Sequence, residues 1–263
     1  TSMTRSARAA SRVVELYRTR SKALRSITAS VVTLTLVCGG CSSSNDNGSS
    51  TGSSPPHIDA SGCDLPPLPD LGNLATHTVG DGTAASCDEN ALRAALDSGG
   101  LVNFDCGSEP VLITVSSTLL VKSGTHLDGG GQVTLDGADA ARILRTDDSS
   151  VVIIEGLTFQ HGHARKIEGE SDGSGGAIHR GWQSNLYVKE CAFRSNVANG
   201  GEGNNGGAIF AGSAGWLTIV NSTFDGNRAP SGGATHTVGS DLTVVDSVFR
   251  ANEATSGDGG GIY

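Results

Sequence analysis

Gly206-Gly207-Ala208-Ile209, followed by Leu217-Thr218-Ile219-Val220-Asn221-Ser222-Thr223-Phe224-Asp225-Gly226-Asn227, is the stretch that decides the fold, because the chain writes it repeatedly. Glycine pairs open at Gly175, Gly206, Gly232 and Gly259, and phenylalanines stand at Phe159, Phe193, Phe224 and Phe249. From glycine pair to phenylalanine the distance is 18, 18 and 17 residues. From phenylalanine to the next pair it is 16, 13, 8 and 10. Self-similarity at this period marks stacked units, none of which can bury its own apolar face. Length varies only in the piece after the phenylalanine, and insertions on a single edge are where solenoids build binding surfaces.

Aligning on the phenylalanines produces columns. Seven residues before them stand Val152, Leu186, Leu217 and Leu242, and five before stand Ile154, Val188, Ile219 and Val244. Apolar residues two apart with polar or variable ones between predict a strand with one buried face. Three before the phenylalanine lies a glycine or polar corner: Gly156, Glu190, Asn221 and Asp246. Three after it come Gly162, Asn196, Asn227 and Asn252. Gly and Asn best tolerate a left-handed backbone, so this column predicts a shared tight bend, and stacked Asn side chains can bond along it as amide ladders do.

Short strands, tight bends and no intervening helix fold most simply as an all-β, right-handed single-stranded parallel β-helix. Thr118 to Val121, His126 to Gly131, Val133 to Gly137 and Arg142 to Leu144 read as earlier coils. Cys87 and Cys106 flank the amphipathic Asn90–Leu96 and the strand-like Leu101–Phe104. A disulfide between them would staple a short capping helix across the first strand, although two unpaired thiols remain an alternative. The chain stops at Tyr263 partway into a new coil. A C-terminally truncated solenoid is expected, or one whose last coil pairs with another molecule.

The front end differs from the body. Residues 1–41 carry a net charge of +6 and the remainder −15. An acidic body repels phosphate backbones, so nucleic acid is not an expected partner. Seven basic residues precede the apolar run Ile27–Val37, which is too short to span a bilayer and reads as an export signal. Cys38-Gly39-Gly40-Cys41 then gives way to Ser, Asn and Gly. This junction resembles the cleavage site of bacterial lipoproteins, which implies acylation at Cys41; simple cleavage is the alternative. Cys38 stands where that family usually has Leu. Expected domains are the signal at 1–41, a Ser/Gly/Asn/Pro-rich tether at 42–80 and the β-helix at 81–263. Within the last lie a capping segment at 87–106 and the repeats at 151–263.

"GGAI" at Gly175 and Gly206, paired with "FRSN" and "FDGN", resembles the repeat of the polymorphic outer-membrane proteins. "THLDGGGQVTLDG" resembles early coils of pectin-lyase-like β-helices in bacterial surface proteins. The resemblance covers about residues 81 to 263; Thr235 replaces the Ile in one copy, and Gly162 the Asn in another. It implies an exported outer-membrane or cell-surface β-helix, serving adhesion in some relatives and polysaccharide cleavage in others.

Candidate chemistry is sparse. His161, His163, Arg165 and Lys166 superficially resemble pieces of galacturonan hydrolases, but in the wrong order and spacing. A lyase would need a base near a bound cation or a neutralised uronate, for which Arg165 and Lys166 are the available pair. Asp147-Asp148 reads as turn chemistry. No motif implies a cofactor, and no His, Cys, Asp or Glu spacing suits a metal. A more informative column lies four residues after the first glycine: His179, Phe210, His236 and Tyr263. With Ile inward, alternation puts these rings and the small residues Ala177, Ala208, Ala234 and Gly261 outside, as a platform for sugar rings or a partner strand. Intramolecular ring stacking, or an inward ring column with Ile outside, are the alternatives. The expected function is a non-enzymatic surface protein that binds a cell-surface glycan or another surface protein. The runner-up is a lyase or glycoside hydrolase acting on acidic polysaccharide.

Overall fold

The computed structural model describes residues 66–165, 173–200 and 205–263. The export signal, Cys41, Cys63 and Lys166 lie outside them. The described chain is a parallel β-helix. Each full coil lays down a strand in a broad sheet, turns a corner, adds a short strand to that sheet, then contributes to a narrow sheet and to a third sheet. One such circuit runs Asn185–Lys189, Ala192–Arg194, Val197–Asn199 and Ile209–Gly212. Among the described residues every pairing between coils is parallel, and in the repeats it is in register: Leu186 lies between Val152 and Leu217, and Phe193 between Phe159 and Phe224. Like residues therefore form vertical rows.

The apolar rows point inward because strand alternation leaves one face to the lumen. Val152, Leu186, Leu217, Ile154, Val188 and Ile219 are fully buried in one core with the phenylalanines. Phe159, Phe193, Phe224 and Phe249 stack nearly parallel, with centroids 5.1, 4.5 and 4.5 Å apart and interplanar angles of 8°, 8° and 2°. The second glycine of each pair marks where coils cross too closely for any side chain. A Cβ on Gly176 would fall 2.5 Å from the carbonyl oxygen of Gly207, and Gly207 and Gly233 are hemmed in by the coil above in the same way.

The Asn row is a ladder. Asn196 Nδ2 donates to Asn227 Oδ1 at 2.9 Å, and Asn227 Nδ2 to Asn252 Oδ1 at 2.9 Å. Each Oδ1 also accepts a backbone N–H from the coil below, that of Gly162 in the lowest case, at 2.9 to 3.0 Å. Each Nδ2 donates to the carbonyl of a phenylalanine in the coil below. The conformational reason expected from the sequence is corrected, however. Positive φ falls not on this column but one residue before it, on His161, Ser195, Gly226 and Ala251. It falls also on the corner column Gly156, Glu190, Asn221 and Asp246. The Asn column is selected by its buried amide bonds, which no other side chain of that size supplies.

The lower end is closed by a helix, α1 (Glu89–Ser98). Asp88 caps it by accepting the Ala91 N–H, Gly99 ends it at φ 70°, and Leu92, Ala95 and Leu96 are buried against the stack. Cys87 and Cys106 are joined by a disulfide, while Cys191 is a buried free thiol. Two boundaries differ from expectation. The first strand is Thr76–Val79, paired with Leu101–Phe104, so the stack begins inside the segment read as tether. And His126–Gly131 with Val133–Gly137 are not two coils. Thr125–Asp136 is one strand whose register slips between Asp128 and Val133, where the glycines form a bulge.

Candidate binding face

The ring column does form a row on the outside of the third sheet, since Ile178, Ile209 and Thr235 are buried inward and their successors point away. His179, Phe210 and His236 are cross-strand neighbours, and Tyr263 follows through the bridge between Thr235 and Ile262. Centroid separations are 5.2 Å for His179 and Phe210, 5.9 Å for Phe210 and His236, and 4.8 Å for His236 and Tyr263. The angles are 33°, 72° and 71°, so these rings meet tilted or edge-on.

An open ribbon of four rings is not what the structure presents. Phe210 and His236 are 4% and 2% exposed, whereas Tyr263 is 47% exposed and His179 intermediate. The Phe210 ring folds back over Gly212, where a Cβ would lie 2.8 Å from it. Burial lowers the His236 pKa, which keeps its ring neutral near pH 7. The neighbouring small column is corrected as well. Ala177, Ala208 and Ala234 belong to the lumen core, because they precede the strand at the corner, where alternation does not apply. What the face offers solvent is therefore Tyr263 at one end, His179 at the other, and below His179 the exposed Arg145 and Leu120 of the same row.

The corner after Phe159 holds the second group. His161 Nδ1 lies 3.3 Å from both carboxylate oxygens of Asp136, whose Oδ2 also accepts from Gln160 Nε2 at 2.8 Å. Burial opposes ionisation of Asp136, but the bonds from Gln160 and the Ala138 N–H, with His161 beside them, outweigh it and hold the carboxyl below its ordinary range. His163 donates from Nδ1 to the Asp139 carbonyl at 3.0 Å and accepts the Asn199 amide at Nε2 at 2.8 Å. Arg165 donates to the same Asp139 carbonyl at 2.9 Å. The structure thus brings His161 to a carboxylate, and His163 and Arg165 to one backbone oxygen. Asp148, read as turn chemistry, accepts the Trp182 N–H and pairs with Arg145.

Two polar groups escaped the sequence. On the outside of the broad sheet, Glu155 accepts from Lys189 Nζ at 2.5 Å and lies 3.2 Å from His126 Nε2. Burial works against the Glu155 charge, and Lys189 and His126 together more than offset it, so its pKa falls while that of Lys189 rises through the same bond. Glu155 and Lys189 both stand four residues before a phenylalanine, so the column alignment held this signal. Arg180 points into the lumen, 1% exposed. Its guanidinium donates to the carbonyls of Ser184, Gly212 and Ala214 and to Ser240 Oγ, tying together three successive turns. Desolvation lowers its pKa to about 10. Among the described residues no group of three or more His, Cys, Asp or Glu is placed to hold a metal ion.

Fold and face together define a parallel β-helix protein with a partly covered ring row on its third sheet. No family model, curated protein or solved structure matches this chain.

Proposed function

We propose that this chain is an exported β-helix of a bacterial cell surface or outer membrane, lipid-anchored through Cys41, that serves adhesion or surface structure by binding a glycan or another surface protein without turnover. The observation that carries this is the ring row at one strand spacing, buried in its middle and open at His179 and Tyr263. Rigid aromatic groups beside polar ones suit sugar faces and protein partners alike. The disulfide between Cys87 and Cys106 fits an oxidising compartment. The GGAI and FxxN repeats extend the likeness to polymorphic outer-membrane and pectin-lyase-like proteins.

Glycan-array and whole-cell adhesion assays on the purified chain test this. Tyr263→Ala and His179→Ala should each weaken binding, with Leu112→Ala, on the broad sheet, as the control. Cleavage of acidic polysaccharide in place of stable binding would overturn it.

The Asp136–His161 contact favours one second function, polysaccharide cleavage at the corner. In it, His161 removes the proton beside a uronate carboxylate that Arg165 neutralises, a C=C bond forms, and the glycosidic C–O bond breaks with its electron pair leaving on the oxygen, which takes a proton back from the His161 imidazolium. A rise in absorbance from unsaturated product, lost in His161→Ala and in Arg165→Ala, would establish it.

A further inference from the structure

Residues 66–75 cross the outside of the broad sheet. Tyr187 Oη donates to the carbonyl of Pro66 at 2.5 Å, across 121 positions of sequence. Leu71 packs against an apolar cluster of Ile153, Tyr187 and Val220, and Trp216 packs against it too. These three side chains point away from the lumen, yet they are only 2%, 3% and 0% exposed. They sit on three successive coils, as the pairing of Ile153 with Tyr187 and of Lys189 with Val220 requires. A second apolar cluster thus lies outside the tube, separate from the core within it.

The composition of the segment suits this position. Pro66, Pro67 and Pro69 have no N–H to donate, so the segment cannot join the sheet as a strand and offers its carbonyls instead. Asp70 Oδ1 accepts the Gly72 N–H at 2.8 Å, and Gly72 takes φ 72°, a turn that leads the chain toward Thr76–Val79. From Tyr187 down to that strand are four strand spacings, about 19 Å, well within the roughly 33 Å that ten extended residues reach.

We propose that the flank formed by Ile153, Tyr187, Trp216 and Val220 is a docking surface for an extended proline-rich segment, and that its occupant is Pro66–Leu71 of the same chain. The clasp makes the polypeptide leave the stack from its side, at the level of Tyr187, and not from the end closed by α1. Where the chain is anchored upstream, as proposed above, the coils are then held by their flank. This consequence rests on the anchored reading; the clasp itself does not.

The test uses the soluble full chain, so lipid attachment does not affect it. Trp182 is 59% exposed. In a Trp182→Phe background Trp216 is the sole indole, and acrylamide quenching reports its cover. Leu71→Ser and Tyr187→Phe should each raise the quenching constant about twofold by freeing a segment of low local stability. Leu68→Ser, at a side chain 43% exposed, should leave it unchanged. Light scattering should give a monomer throughout, and circular dichroism an unchanged strand signal. Equal quenching in Leu71→Ser and its parent overturns the clasp. A dimer that Leu71→Ser splits overturns the intramolecular occupant in favour of a second copy. Loss of anchoring in Cys41→Ser, or its persistence, bears only on the proposed function.

Discussion

Two columns of rings climb this molecule, one inside and one outside, and they behave differently. The inner column is all phenylalanine, and its rings lie within 8° of parallel at 4.5 to 5.1 Å. The outer column mixes His, Phe, His and Tyr, and its rings tilt by 33° to 72°. The parallel sheet supplies the same spacing to both. Inside, each ring is buried against like residues of the adjacent coils, so identical residues stack as copies. Outside, each ring turns to suit its neighbour, and the edge-on contacts that result are the arrangement aromatic quadrupoles favour. Repetition governs the interior, and individual chemistry the exterior.

The comparison is broken most directly from inside. Phe193→Ala removes a fully buried ring between two others and should cost about 3–5 kcal/mol, read from denaturant unfolding. A cost below about 1 kcal/mol would mean that the lumen collapses around the gap. Asn227→Ala should cost roughly 3 kcal/mol, because it leaves the Asn196 backbone N–H and side-chain amide, the Phe193 carbonyl and the Asn252 carboxamide oxygen short of bonds in the interior. Asn227→Asp should recover only part of that loss, since one donor is still missing.

Phe210→Ala sharpens the contrast. It too is nearly buried, but it lies over Gly212 on the outer side, where water can refill the space, and roughly 2 kcal/mol is expected. A cost equal to that of Phe193→Ala would make the outer row a second core. The smallest effect is the pH dependence of His236. Its pKa is lowered in the folded state, so the unfolded chain binds more protons as pH falls below 6.5. The unfolding midpoint should therefore fall as pH drops from 6.5 toward that lowered value, and His236→Phe should flatten this slope. Asp136 and Glu155, whose pKa values are lowered, contribute stability that is lost only in more acid solution, as pH falls through their folded pKa values. The two windows can be separated in one titration.

Much of the architecture could be read in advance because a solenoid repeats its local rules. Columns two apart in sequence are columns in space, and the inward rows at Val152, Ile154 and Phe159 needed only alternation. What misled were places where one residue changes the geometry. The left-handed residue precedes the Asn ladder because the bend and the amide bonds divide the work between two positions. Ala177 and its equivalents lie inward because the corner suspends alternation. At the site, the sequence located the ring row but could not show that its centre is covered. Burial there comes from how each ring lies on its neighbours, Phe210 over Gly212 and His236 against Phe210 and Tyr263.

The amino-acid sequence alone determined that like residues lie over one another, since period and alternation are local properties of a chain whose units are nearly identical. Tertiary structure alone decided which outward side chains are covered. It laid Pro66–Leu71 over Tyr187, turned Arg180 inward to bind three turns, and brought Asp136 to His161. The physical reason is that such contacts join residues on different coils, or outside the repeat altogether, where no periodicity carries information about the partner.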